Sequence, residues 1–194
     1  MIDDPLDEQA LVRAAKGAPS DDLRAFEALV ARNQGHVVAN CRHLTGSPAE
    51  AEDLAQEVFV KAFFALKRFE ERSSFRTWVR QIKVNHCLSH LTKRKKERAV
   101  DLDDPGVADD RALRVEAAAE EQLLADDERV RIQAVLDALG ESLRVPLVLR
   151  DLDGLSYQEI AEQLGLGLSA VKMRIKRGRE EFRRLYQAEA GPPG

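Results

Sequence analysis

Cysteine is nearly absent from this chain. Cys41 and Cys87 are too few for a disulfide scaffold and fit a reducing compartment. Aromatic residues make up only 5%, which favours helices over sheets, and no β-type alternation of useful length occurs. No apolar run approaches the length of a membrane span. The first residues, MIDDPLDEQAL, are acidic and lack a signal-peptide core, which predicts a cytoplasmic protein with no membrane insertion of its own. No Walker loop, nucleophile elbow or carboxylate dyad marks an enzyme. CxxC and HExxH are missing too. His86, Cys87 and His90, with Cys41 and His43, are the conceivable metal ligands, but they fall on different helices. The expectation is a protein without metal, cofactor or covalent chemistry of its own.

What is present is helical periodicity and segregated charge. Hydrophobic residues are 44% and charged residues 33%, enough for a core with a solvated surface. The formal net charge is −4, yet residues 67–98 carry a surplus of about eight positive charges and residues 97–128 a deficit of about nine. An acidic protein can therefore still offer nucleic acid a basic face.

The densest signal lies in Ser47–Asn85. Ser47 can cap a helix, Pro48 fits its first position, and Glu50 completes a capping box. Glu50, Asp53 and Glu57 then share one face. After Val58 this helix is apolar almost all round, which predicts burial between neighbours. A break follows at Phe69–Ser74. Ser73 or Ser74 can cap a second helix with Phe75, Trp78, Val79 and Ile82 on one side and Arg76, Arg80 and Lys83 on another. Aromatics among cations suit single-stranded DNA, where bases stack and the backbone needs neutralising. For Trp78 a plain core role is the stronger reading.

Around this stretch, helices are expected over Asp7–Lys16, from Ser20 or Asp21 to about Leu44, and on through LTKRKKERAV, giving a bundle over residues 5–97. Asp101–Asp110 reads as a linker by composition, within an acidic connection spanning 98–125. Helical periodicity resumes over 126–187. There LSYQEIAEQLGLGLSAVKMRIKRGREEF reads as a helix-turn-helix. It has a Ser156/Glu159 capping box, a break at Gly165, and small Ala161 where the helices cross. Its second helix buries Leu168, Val171, Ile175 and Phe182 and turns Ser169, Lys172, Met173 and Lys176 toward a major groove. Arg174, Arg177, Arg179 and Arg183 can flank it and reach phosphates. The fold class is thus all-α, with two small helical domains.

AEDLAQEVFVKAF followed by FEERSSFRTWVRQIKVNHC resembles the second conserved region of bacterial sigma factors of the extracytoplasmic-function type, and Gly154–Phe182 resembles the fourth. The resemblance implies a factor that directs core RNA polymerase to promoters, including those of stress responses, and helps melt them. It implies that Asp53, Gln56 and Glu57 dock on the clamp helices of the largest subunit, while the fourth region meets the β flap. The segment around Phe69, Arg72, Ser73, Ser74, Phe75, Arg76, Arg80, Lys83 and Asn85 would bind the minus-ten element, its loop capturing a flipped base. The second helix of the helix-turn-helix would read the minus-thirty-five element. An anti-sigma factor is a further implied partner. The family often has Gly at the position of Glu71 and Thr at that of Ala170. For the acidic connection, a solvated spacer is the plain reading, and a path near the RNA exit of the polymerase is what the family implies. Two rivals are a conventional helix-turn-helix regulator with an N-terminal sensing or dimerisation domain, and a metal enzyme using the His/Cys cluster.

Overall fold

A computed structural model describes residues 5–19, 21–101 and 120–189, with side chains over 8–19, 21–97 and 128–188. Every regular element among them is helical, as expected. The first half contains α1 (Pro5–Gly17), α2 (Arg24–Thr45), α3 (Pro48–Ala65), a short 3-10 turn (Leu66–Arg68) and α4 (Phe75–Asp101). The second contains α5 (Glu120–Ala138), α6 (Glu141–Asp151), α7 (Tyr157–Leu164) and α8 (Leu168–Glu189). The Asp101–Asp110 linker, save Asp101, and the segment after it to residue 119 lie outside the described residues. Helix α5 starts six residues before the expected boundary at 126.

Leu29, Val37 and Leu44 of α2, Val58 and Ala62 of α3, and Phe75, Val79 and Val84 of α4 fill the first core. Val135 and Leu136 of α5, Leu147–Leu149 of α6, Ile160 of α7, and Val171 and Ile175 of α8 fill the second. Three local expectations need correction. Helix α2 begins at Arg24 and not at Ser20 or Asp21: Leu23 stands at the cap position without a side-chain cap bond, and the Asp22 carboxylate accepts from both the Arg24 backbone N–H (3.3 Å) and its guanidinium (2.8 and 2.9 Å). Ser47 does accept from the Glu50 backbone N–H at 3.4 Å, but the Glu50 carboxylate leaves the box for Arg94 (3.1 Å) and His90 (3.3 Å). Charge-assisted partners outcompete a backbone amide there. Helix α3 is not buried all round. It has α2 and α4 as neighbours and an open third side, where Val60 is 55% and Phe64 78% exposed.

The two halves pack on one another. Helix α6 lies against α2, and buried Arg144 donates to the Thr45 carbonyl at 3.0 Å. Gly46 makes that approach possible. It ends α2 at φ 68°, donating to the Arg42 carbonyl at 2.8 Å, and a Cβ there would collide with the Arg144 guanidinium. Helix α5 also packs against α2.

Burial holds the imidazoles of His36, His43 and His86 below their ordinary value of 6.5, more strongly than Glu57 beside His86 raises it. The unfolded chain therefore binds more protons than the folded one just below pH 6.5, and stability falls as pH falls through that window. Thermal unfolding followed by circular dichroism should show a lower midpoint at about pH 5.5 than at about pH 7.5, and His43→Gln should flatten the slope. A midpoint that rises on acidification would contradict this account.

Candidate nucleic-acid interface

The second domain carries a complete helix-turn-helix. The Ser156 hydroxyl accepts from the Glu159 N–H at 3.2 Å, and the Glu159 carboxylate accepts from the Ser156 N–H at 2.7 Å. These bonds hold the Glu159 carboxyl below its ordinary range. Gly165, at φ 62°, ends α7, and the Leu166 N–H returns to the Ala161 carbonyl at 3.0 Å. Ile160, Ala161, Val171 and Ile175 seal the crossing. Leu168, expected inside, is 39% exposed because it opens α8 at the turn, beyond the reach of the core.

Ser169, Lys172, Met173, Lys176, Arg177 and Arg183 all lie exposed on α8. Two of the expected flanking cations differ. Arg179 is engaged by Asp151 of α6 through bonds of 2.9 and 2.5 Å, which raises its pKa further and fastens α8 to α6. Arg174 is half-buried and lines a groove formed with α4, the first turns of α6 and the end of α7.

In the first domain the aromatic trio is mostly internal. Phe69 and Phe75 are buried, so neither can stack on a base; Trp78 is half-buried and lies against both. The Phe69 and Trp78 rings stack at 4.7 Å and 22°. The preceding loop keeps a glycine-like path without glycine. Glu71 has φ 59°, and its carboxylate receives Lys16 of α1 at 2.8 Å. Lys16 also donates to the Phe69 carbonyl at 2.7 Å.

Ser74 caps α4, accepting from the Thr77 N–H at 3.1 Å, while Ser73 stays exposed. Arg72 pairs with Glu70 at 2.9 Å, and Arg76 is exposed. Arg80 is half-buried, and Lys83 is 1% exposed. Both reach Asp153 of the other domain, so in this conformation Lys83 cannot meet solvent or DNA. Asn85 is exposed and accepts from Gln81 at 3.3 Å. It shares a face with Ser74 but lies about 16 Å farther along the helix, so the two do not form one small pocket.

On α3, Asp53, Gln56 and Glu57 are all exposed. Glu57 also receives His86 at 2.9 Å, and Lys61 donates to the other ring nitrogen at 2.6 Å. Val60 and Phe64 continue the Gln56 row at i+4 and i+8. That spacing was the available signal for an acidic-apolar stripe; their hydrophobicity alone pointed inward. Cys41 and Cys87 sit in the core with their sulfurs 3.6 Å apart, a contact that with burial pushes the Cys87 thiol up. His86 and His90 face Glu57 and Glu50 instead. Among the described residues no three His, Cys, Asp or Glu side chains converge as for a metal ion.

Residues 29–97 match the family description "Sigma-70 region 2", and residues 129–182 match "Sigma-70, region 4". The chain is 34% identical to the ECF RNA polymerase sigma-E factor of Escherichia coli K12, over 92% of this chain and 94% of that protein. It belongs to the sigma-70 family. The RNA polymerase sigma-H factor of Pseudomonas aeruginosa is 32% identical, over 96% of this chain and 97% of the relative. Among solved structures, CnrH in complex with the cytosolic domain of CnrY matches with a TM-score of 0.54 and 27% identity, over 94% of this chain and 98% of that one. The sigma factor RpoE bound to the anti-sigma factor NepR from Bartonella quintana matches in fold, with a TM-score of 0.58 and 23% identity, over 84% of this chain and 96% of that one. The protein is thus a promoter-directing sigma factor of the extracytoplasmic-function type, and its relatives are not enzymes in the catalytic sense.

The capping box orients α7, against which α8 packs. Ser156→Ala removes the hydroxyl that accepts from the Glu159 N–H, leaves the backbone N–H that Glu159 accepts, and should cost about 1 kcal/mol in urea unfolding of the full chain. No measurable loss would mean that Ile160 packing alone holds α7.

Proposed function

We propose that residues 5–97 bind core polymerase and the minus-ten element, that 98–125 form an acidic connector, and that 126–187 read the minus-thirty-five element. The carrying observation is the exposed stripe Asp53, Gln56, Glu57, Val60 and Phe64 on α3. A conventional helix-turn-helix regulator has no use for a row that combines carboxylates with a 78% exposed phenylalanine. A basic helical partner such as the clamp helices of the largest subunit matches it in charge, and the apolar pair supplies the centre of the contact. The β flap is the proposed partner of the second domain.

On α4 and its loop, Arg72, Ser73, Ser74, Arg76 and Asn85 are placed to meet an unpaired strand while the polymerase performs the chemistry. An anti-sigma factor, of the kind that NepR is to the RpoE of Bartonella quintana, is the proposed regulator. The protein acts in the cytoplasm. Among the described residues no helix is long and apolar enough to cross a membrane.

Transcription with core enzyme on a promoter library tests the whole reading. Asp53→Lys with Glu57→Lys should weaken core binding at least tenfold in a titration, and Phe64→Ala should weaken it without lowering the thermal midpoint. Unchanged affinity in both variants would remove α3 from the interface.

For the upstream element the reading turns on Met173, which is 49% exposed beside Lys172 and Lys176. Lysine donates to guanine, and a thioether can touch the thymine methyl. The upstream element should therefore combine guanines with at least one thymine read by its methyl. Replacing that thymine with uracil should weaken binding by wild type but not by Met173→Ala. If no uracil replacement matters to wild type, Met173 is no base reader.

A further inference from the structure

The Asp153-Gly154 turn between α6 and α7 reaches out of its own domain. Its tight path, with Gly154 at φ 70° and the Asp153 N–H on the Val148 carbonyl at 3.0 Å, drives the carboxylate between α2 and α4. There Asp153 is 2% exposed. One carboxylate oxygen accepts from Lys83 at 2.5 Å and from Asn40 at 3.1 Å. The Asp153 backbone carbonyl accepts from Arg80 at 2.5 Å. Arg80 and Lys83 stand at i and i+3 on α4, so a single turn of the second domain engages two of the cations on that helix.

An anionic carboxylate flanked by a carbonyl, bonded to an arginine and a lysine, presents the chemistry of a backbone phosphate. The contact is also incomplete. The other Asp153 carboxylate oxygen and the Arg80 Nε are buried without a hydrogen-bond partner. Burial of an ion pair with unmatched polar atoms leaves little net gain from closure. The contact therefore selects one closed arrangement without locking it.

We propose that the Asp153 turn is an intramolecular substitute for DNA: in the closed chain it occupies Arg80 and Lys83, and α4 of the free factor is held from the unpaired strand until the two domains part. This rests on the reading of α4 as a strand-contacting helix. The alternation is simple. Closed, the two cations face a carboxylate and a carbonyl; open, they face phosphates. Core polymerase, by holding each domain on a separate surface, favours the open state without acting on Asp153 itself.

The test uses the full chain and a fluorescein-labelled oligothymidylate. Asp153→Asn keeps the shape of the turn but leaves Lys83 without its counter-charge. It should raise the radius of gyration in small-angle X-ray scattering and tighten oligothymidylate binding about tenfold in anisotropy. Arg144→Met removes the separate bond to the Thr45 carbonyl, leaves Arg80 and Lys83 in place, and should act in the same direction. Circular dichroism identifies a variant that merely unfolds, and the other variant then carries the test. Expansion without a gain in DNA affinity overturns the proposal, as does the absence of expansion in every folded variant. Arg80→Ala with Lys83→Ala, assayed in the holoenzyme on promoter DNA, separates the two readings. Unchanged promoter binding there means that the role of α4 is wrong. A loss there, with no effect of Asp153→Asn on the free chain, means that the closure alone is wrong.

Discussion

A buried carboxylate must be answered where it sits, and the arrangement of this chain turns on how Asp153 is answered. Lys83 and Asn40 converge on one oxygen, and Arg80 takes the adjoining carbonyl. Those bonds fix the α6–α7 corner against the first domain. The same corner is fastened from its own side: the Leu155 N–H returns to the Leu149 carbonyl at 2.9 Å, and Arg150 donates to the Leu155 carbonyl at 2.8 Å. Helix α7 begins at this corner, and α8 is set by α7 and by the Arg179–Asp151 pair. Removing one partner from a buried pair typically costs about 3–5 kcal/mol, because a naked charge remains. The placement of α8 against the first domain therefore depends on the Lys83–Asp153 ion pair.

Local chemistry was legible in the sequence wherever a short rule decides the structure. Ser156 and Glu159 sit three residues apart before an apolar run, and no distant group competes for either, so the box forms. Ser47 and Glu50 have the same spacing, yet Arg94 and His90 on α4 take the carboxylate. A window of a few residues cannot contain that competition. Similarly, the non-glycine Glu71 gave no hint of a left-handed backbone by itself. The conformation survives because Lys16, from α1, pins both the loop carbonyl and the side chain.

Side-chain direction was harder to read than helix position. Phe69 and Phe75 looked like stacking platforms because cations surround them in sequence, and they became the support beneath Trp78. Phe64 looked internal because its helix is apolar, and it faces outward. Both outcomes follow from how many neighbours a helix acquires, which depends on contacts far away in the chain. Lys83 is the extreme case. A lysine among arginines on a basic helix reads as solvated, and its burial requires the carboxylate of Asp153, 70 positions later.

The segregation of charge now has a structural meaning. Arg80, Lys83 and Arg94 of α4 meet the second domain, while Lys172, Lys176 and Arg177 of α8 lie exposed. A helix as basic as α4 would repel a second cationic unit brought against it. The second domain avoids this by presenting α4 with Asp153 and Glu141, which receive Lys83 and Arg94, and by keeping Lys172, Lys176 and Arg177 on its outer face. The proposed closure and the proposed strand contact therefore draw on the same two cations of the first domain, Arg80 and Lys83. On that proposal the two states compete at α4, while Ser169, Lys172 and Lys176 of α8 are exposed in the closed chain.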